Sequence, residues 1–261
     1  MIKLYFIYRG DKMNPVITDK NFEINYHEID FKKRVLFTNI MNYFEDVSME
    51  QSETLGVGLE YLKNNNEAWV LYKWNVTIHR YPQYGEKIIV RTIPLACRKF
   101  YAYRRFQVID EAGNVVVSGD SIWFLIDIDK RRPKKVTKDL QAAYGLSESE
   151  EEPFKIEKIK FPEKFNYKSK FQVRYSDIDT NLHVNNVKYI SWAIESIPLD
   201  IVLNYTLENF IITYEKEVKY GNNMNVYSQI VHKDSNQITL VHKVENEDGK
   251  RVTCAKSVWV K

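Results

Sequence analysis

The strongest constraint on this chain is that it repeats itself. Setting Tyr26 on Tyr175, an offset of 149 residues, places Ile29 on Ile178, Asp30 on Asp179, Val35 on Val184 and Tyr43 on Trp192 without a gap. Further along, Tyr84-Gly85 falls on Tyr220-Gly221, Glu111-x-Gly113 on Glu247-x-Gly249 and Ser121-x-Trp123 on Ser257-x-Trp259, all at an offset of 136. Most of a 261-residue chain is therefore one small fold written twice. The two offsets differ by 13 residues, and the sequence places the difference between helix and strands, where the first half carries the polar run Lys63-Asn64-Asn65-Asn66.

Each half opens with a short alternating stretch, at residues 22–26 and 171–175, which suits a half-buried strand. A helical pattern follows, with Val35, Leu36, Ile40, Met41 and Phe44 in the first half and Val187, Ile190, Ile194 and Ile197 in the second. Asp110-Glu111-Ala112-Gly113 and Glu247-Asp248-Gly249 then mark hairpin turns between later strands. A helix apolar over much of its surface is expected to be buried, and antiparallel strands bury it by curling around it. The order of elements gives an α+β class. Composition agrees: 18 Tyr against 9 Gly and 7 Pro favours strands over disorder, and 44% hydrophobic residues supply a core.

Between strand and helix of the second half lie Ser176, Asp177, Asp179, Thr180, Asn181 and His183, too dense a polar cluster for an ordinary connection. They precede a helix N-terminus, whose unpaired N–H groups and positive dipole end favour negative charge, so an oxyanion can be stabilised there. The run Asp-x-Asn-x-His-Val-Asn-Asn-x-Lys-Tyr-x-x-Trp-x-x-Glu, from Asp179 to Glu195, closely resembles the signature of acyl-acyl-carrier-protein thioesterases, which release free fatty acids. A second segment of that family, Tyr-x-x-Glu followed in plant members by Cys, stands here as Tyr214, Glu215, Lys216, Glu217 and then Val218. The cysteine is missing. The resemblance covers most of the chain from about residue 22 and implies two hotdog folds in tandem: a first domain at 17–135 that shapes the acyl pocket, a charged linker at 136–165, and a catalytic domain at 166–261.

The duplication allows the halves to be compared with each other. Asn181 corresponds to Lys32, His183 to Arg34 and Glu217 to Tyr81, whereas Asp179 keeps its counterpart in Asp30. Residues needed only for folding would recur in both halves, so Asn181 and His183 read as functional, while Asp179 is compatible with a turn or cap role as well. The resemblance implies that Asp179, Asn181, His183 and Glu217 form the catalytic set. Chemically, Asn181 and the amides at the helix start suit a carbonyl oxygen becoming negative, Asp179 or Glu217 can activate water or attack, and His183 can orient, donate or relay a proton. The sequence does not divide these roles further.

Asn185 and Asn186 suit a helix cap as well as a ligand, and Lys188 and Glu195 suit fold support as well as substrate contact. His27, His79, His232 and His242 read as isolated, structural or exposed, and most of the tryptophans as core. Ile40, Met41 and Phe44 are expected to line the acyl pocket. His183 with Asp179 lacks a second nearby His or Cys, so no metal is expected, and no cofactor. Cys97 and Cys254 have no framework spacing, which suits a reducing cytoplasm.

The opening MIKLYFIYRGDKM, read as a loose N-terminus with Met13 as an alternative start, falls far short of a membrane span and shows no signal-peptide cleavage pattern. A net charge of +3 without a basic helix or zinc-finger pattern argues against nucleic acid. Local charge is more telling: Lys130, Arg131 and Arg132 begin a basic run ending at Lys135, and SESEEEP at 147–153 is acidic. The basic run is either a solvated crossover or a dock for an acidic carrier protein. The expected partner is acyl carrier protein bearing a phosphopantetheine-linked acyl chain, and the expected activity is thioester hydrolysis. A homodimer is kept as a candidate assembly. The alternatives are acyl-coenzyme A hydrolysis and a non-catalytic acyl-binding or sensor module.

Overall fold

The structure is a computed structural model and describes the backbone of residues 3–5 and all of residues 14–261. Met13 lies outside the described residues. Two compact units emerge, one running to Tyr72 and resuming at His79–Lys155, the other formed by Lys73–Ile78 and Ile156–Lys261. Each is a helix laid on an antiparallel sheet, and the two repeat the same hotdog-like plan.

In chain order the first unit contains β1 (Lys3–Tyr5), β2 (Ile17–Glu23), α1 (Phe37–Thr54), α2 (Leu59–Asn64), the start of β3 (Glu67–Ile78), whose residues from Lys73 on belong to the second unit, β4 (Lys87–Arg98), β5 (Tyr101–Ile109), β6 (Val115–Asp127), β7 (Arg132–Pro133) and α3 (Lys138–Ala143). Its strands run in the order β1-β2-β4-β5-β6, with β7 paired on β6. The second unit contains β8 (Tyr167–Gln172), α4 (Asn186–Glu195), α5 (Leu199–Asn204), β9 (Thr206–Tyr214), β10 (Asn223–Lys233), β11 (Gln237–Glu245) and β12 (Arg251–Val260). Its order is β8-β10-β11-β12-β9, and residues 73–77 of β3 pair antiparallel with β9. The sequence repeat is thus a repeat of topology, with β2, α1, β4, β5 and β6 answered by β8, α4, β10, β11 and β12.

Helix α1 forms because Ile40, Met41, Phe44, Val47 and Gln51 recur at three- and four-residue spacing with no Gly or Pro among them, and all five are buried against the sheet. In α4 the same logic buries Val187, Ile190 and Ala193, and Asn185 starts the helix by accepting the Val187 N–H at 2.8 Å. Pro198 follows the last turn. The predicted hairpins join β5 to β6 and β11 to β12, where Gly113 (φ 86°) and Gly249 (φ 71°) take the left-handed conformation those turns require.

Several expectations shift. The opening strands lie earlier than the windows 22–26 and 171–175, ending at Glu23 and Gln172. The Glu28 carboxylate accepts the Asn25 N–H at 2.7 Å, and Asp177 accepts that of Arg174 at 2.9 Å, folding Tyr26–Glu28 and Tyr175–Asp177 into 3-10 turns. Val35 and Leu36 precede α1 instead of belonging to it. Much of the 13-residue difference between halves is in the helix itself, 18 residues in α1 against 10 in α4, while the run 63–66 closes α2. Nor is the start of the chain wholly loose, since β1 pairs with β2.

The segment 136–165, expected as a charged linker, hides an apolar stripe. Val136, Leu140 and Tyr144 are four apart, α3 forms over them, and with Leu146 they bury against Val57, Cys97 and Leu125. The acidic run is pinned to the first unit by Lys135–Glu148 (2.9 Å) and Arg98–Glu152 (3.0 Å). The basic run begins in the turn between β6 and β7 and continues through β7 to Lys135, exposed at Lys130, Arg131 and Arg132. Among the described residues no helix is long and apolar enough to cross a membrane.

Candidate active site

The loop between β8 and α4 is built on one carboxylate. Asp179 Oδ1 accepts the backbone N–H of Asn181 at 2.8 Å and of His183 at 3.3 Å, the Asp179 N–H donates to the His183 carbonyl at 2.8 Å, and Leu182 takes φ 63°. The first unit repeats this loop: Asp30 Oδ1 accepts from Lys32 (2.8 Å) and Arg34 (3.0 Å), and Lys33 takes φ 61°. The turn role weighed for the retained aspartate is therefore realised in both halves.

What differs is what the loop presents. The Val184 N–H donates to the Val218 carbonyl at 2.8 Å, as the Val35 N–H does to Pro82 at 2.9 Å in the first unit, so the strand-like segment carrying Glu217 or Tyr81 is pinned beside the loop. In the second unit this brings His183 Nε2 to 3.4 Å from Glu217 Oε2, with both side chains part-exposed. In the first, Arg34 fills the corresponding place. It pairs with Asp30 Oδ2 at 2.9 Å and lies 4.9 Å from the centroid of the buried Tyr81 ring. Among the described residues no Lys or Arg pairs with Asp179, and the exposed Asn181 side chain makes no hydrogen bond. The second unit thus presents an imidazole, a carboxylate and a carboxamide where the first presents an ion pair.

Three residues named in the sequence patterns, but given no role of their own there, support this loop. Tyr189, on the second turn of α4, is buried, and its hydroxyl is hydrogen-bonded to the Val218 backbone and feels the charges of the Asp179 and Glu217 carboxylates. Burial pushes its pKa up, the backbone bond opposes this and the two carboxylates add to it. Tyr214 donates its hydroxyl to the Asn186 carbonyl at 3.0 Å. Asp177 has no exposed surface; burial would raise its pKa, but hydrogen bonds from Arg174 and the nearby Lys188 ammonium, 3.6 Å away, hold it below the usual carboxylate range. Lys188 therefore supports the loop. The motif positions of Tyr189 and Lys188 were the only signal available, because their partners are distant in sequence. At the helix start, the Val187 and Lys188 amides are already taken by Asn185 (2.8 and 3.0 Å).

The other predicted residues lie in the first unit. Ile40, Met41 and Phe44 are fully buried on α1, with Phe44 packed on Phe106 at 5.0 Å. A surface groove of about 560 Å³ in that unit, lined by Phe22, Glu23, Lys87, Ile89, Ile109 and Asp110, includes none of them. Lys130 is tied to Asp127 (3.1 Å) at its exposed turn. Both cysteines are buried and unpaired, and desolvation pushes the Cys97 thiol up to about 12 and the Cys254 thiol up to about 11. Among the described residues no group of three His, Cys, Asp or Glu could hold a metal ion.

This arrangement has relatives. The chain is 25% identical over 256 residues to the dodecanoyl-acyl-carrier-protein hydrolase of Cinnamomum camphora, covering 92% of this chain and 66% of that protein. It is 24% identical to the palmitoyl-acyl carrier protein thioesterase of Arabidopsis thaliana, covering 92% and 63%. The chain thus spans somewhat under two thirds of the length of these curated relatives. Among solved structures, a Lactobacillus plantarum protein assigned as an oleoyl thioesterase superposes with a TM-score of 0.90 at 27% identity, covering 95% of this chain and 97% of that one. Residues 15–144 match the acyl-ACP thioesterase N-terminal domain and residues 160–261 the C-terminal domain. Matched by both domains in order, the chain belongs to the acyl-ACP thioesterase family.

Proposed function

We propose that the second unit hydrolyses the thioester of a fatty acyl chain borne on the phosphopantetheine arm of acyl carrier protein, releasing the free acid, and that the first unit recognises the chain. The observation that carries this reading is the His183–Glu217 pair at 3.4 Å, present only in the half that also keeps Asn181. Glu217 takes a proton from water as the oxygen adds to the acyl carbon. The Asn181 amide donates to the carbonyl oxygen as it becomes negative, and the C–S bond then breaks as the sulfur takes up a proton delivered through His183. Asp179 holds the loop that presents Asn181 and His183. The water-based route is supported by the two thiols, buried and kept protonated. Their free state also suits a reducing cytoplasm.

The carrier protein is acidic in this reading, and the exposed Lys130, Arg131 and Arg132 are its proposed contacts. Supplying purified protein with matched panels of acyl-carrier-protein and acyl-coenzyme A thioesters, and quantifying the released acids, tests the proposal. Turnover on carrier-linked chains is expected to exceed that on coenzyme A. A preference for coenzyme A would reassign the partner, and absence of hydrolysis on either would leave an acyl-binding module.

A further inference from the structure

The two copies differ in a coupled way at one buried point beside the site. In the second unit the Tyr189 hydroxyl, carried by α4, is hydrogen-bonded to the Val218 backbone, and both residues are buried. The bond favours the ionised phenol, so the Val218 N–H donates and the hydroxyl oxygen accepts. The duplicated positions are Ile40 on α1, also buried, and Pro82. Proline has no N–H, so the first unit has nothing for a hydroxyl to satisfy and an aliphatic side chain suffices. Where the segment carries a buried amide, the helix supplies an oxygen; where it carries none, the helix supplies a hydrocarbon. The Val184 and Val35 amides donate to the Val218 and Pro82 carbonyls at 2.8 and 2.9 Å, so the segment is tied to its loop in both units, with the tyrosine or without it.

Isoleucine with proline is therefore enough for the fold, and the copy that carries Glu217 does otherwise. The amide held by Tyr189 is the one that joins Glu217 to Val218. With its oxygen accepting, the hydroxyl still has its own proton to give, and the charges felt there are the Asp179 and Glu217 carboxylates. The ring is fixed in turn, edge-on to Trp192 (centroids 5.3 Å apart) and to Tyr214 (5.8 Å), whose own hydroxyl is tied to the Asn186 carbonyl at 3.0 Å. Tyr214 likewise stands where the first half of the sequence has Ile78. We propose that Tyr189 is a positioning residue for the general base, its hydroxyl oxygen anchoring the peptide N–H that follows Glu217 and its proton serving the carboxylates of the site. This rests on the reading that Glu217 activates water in a thioester hydrolase.

The test is Tyr189→Phe in the full chain, assayed on a carrier-linked acyl thioester that the parent cleaves. Its kcat should fall about 10- to 100-fold, the scale set by misplacing a reacting group by about 1 Å. KM should stay within about twofold, because the hydroxyl is not a substrate contact. In a Glu217→Ala background the same change should alter the remaining rate by less than about twofold, since a residue that acts through Glu217 then has nothing to act on. Adding Val218→Pro to Tyr189→Phe removes the orphaned amide, as in the first copy, and should recover thermal stability without recovering kcat. If Tyr189→Phe alone does not fold, this double variant reads the same loss of kcat. An unchanged kcat in folded Tyr189→Phe, an undiminished loss in the Glu217→Ala background, or a kcat that returns together with stability would each overturn the inference while the parent's turnover keeps the hydrolase reading intact. A parent protein that cleaves no thioester sinks that reading and this inference with it.

Discussion

His183 Nε2 lies 3.4 Å from Glu217 Oε2, whereas at the duplicated positions the Arg34 guanidinium lies 4.9 Å from the Tyr81 ring centroid. The two pairs sit on the same loop and the same pinned segment, so the backbone of the site is a property of the fold and its chemistry a property of one copy. In the first copy Arg34 also holds Asp30 Oδ2.

The shared aspartate separates scaffold from catalysis. Asp30→Ala removes the acceptor of two loop amides and the partner of Arg34, and should lower stability by about 1–2 kcal/mol, as for loss of a cap, with turnover within twofold of the parent. Asp179→Asn keeps an oxygen where Oδ1 accepts and should retain activity within about tenfold, whereas Asp179→Ala loses the loop and most turnover. Urea unfolding beside steady-state kinetics decides it. A dead but folded Asp179→Asn would make that carboxylate the base.

Within the basic run, Lys134 pairs with the buried Glu67 at 2.7 Å, Lys135 with Glu148 and Lys130 with Asp127, while Lys130, Arg131 and Arg132 are the residues exposed around the β6–β7 turn. Reversing those three should raise KM for the carrier protein several-fold and flatten its dependence on salt, because exposed charges act over a Debye length of about 8 Å at physiological ionic strength. Kinetics at graded salt check this. An unchanged KM and salt slope would return the turn to mere solvated structure.

The buried histidine carries a pH signature. His242 Nδ1 meets Ser228 Oγ at 2.7 Å and Nε2 meets Ser257 Oγ at 2.8 Å, and burial pushes its pKa down to about 3. The folded protein thus keeps it neutral while the unfolded chain protonates near pH 6.5, so stability contributed by this group is full above that pH and is lost as pH falls from about 6.5 toward 3. The slope from one such group is at most about 1.4 kcal/mol per pH unit. Urea midpoints between pH 7 and 5 should fall in the parent and fall less steeply in His242→Phe, the residue type found at Phe106. Equal slopes would show that His242 does not govern this window.

What the sequence made legible were features with fixed spacing: the repeat, the α+β order, the hairpin glycines and the Asp179 to Glu195 motif. What it hid depends on partners far along the chain. His242 read as isolated because its serines come from β10 and β12, and Lys188 was ambiguous because Asp177 had not yet been placed beneath it. The stretch 136–146 read as linker because Val136, Leu140 and Tyr144 are outnumbered by the charges around them. Glu217 was reachable only by family resemblance, and the Val184–Val218 bond supplies the physical reason it stands beside His183.

The final prediction concerns the nucleophile. A thiol route needs a thiolate within reach of a base, and the position that carries cysteine in plant members is Val218 here, buried at 4% exposure with its carbonyl engaged by Val184. Cys97 packs in the first unit among Val57, Leu125 and Leu140, and burial holds its thiol at about 12. Cys254 lies on β12, its thiol raised to about 11 first by burial and then by the nearby Glu215 carboxylate, so neither thiol ionises appreciably at neutral pH. Carboxylate, imidazole and amide remain. Glu217→Ala and His183→Ala should each lower kcat by about 100-fold or more, as removal of a general base or proton carrier does, with melting temperatures near the parent because both side chains are part-exposed. The Cys97→Ser, Cys254→Ser protein, assayed before and after thiol alkylation, should keep its turnover and be indifferent to the reagent. A folded but inactive double-cysteine protein would overturn the water-based mechanism; a fully active Glu217→Ala would pass the base role to Asp179, the remaining carboxylate of the loop.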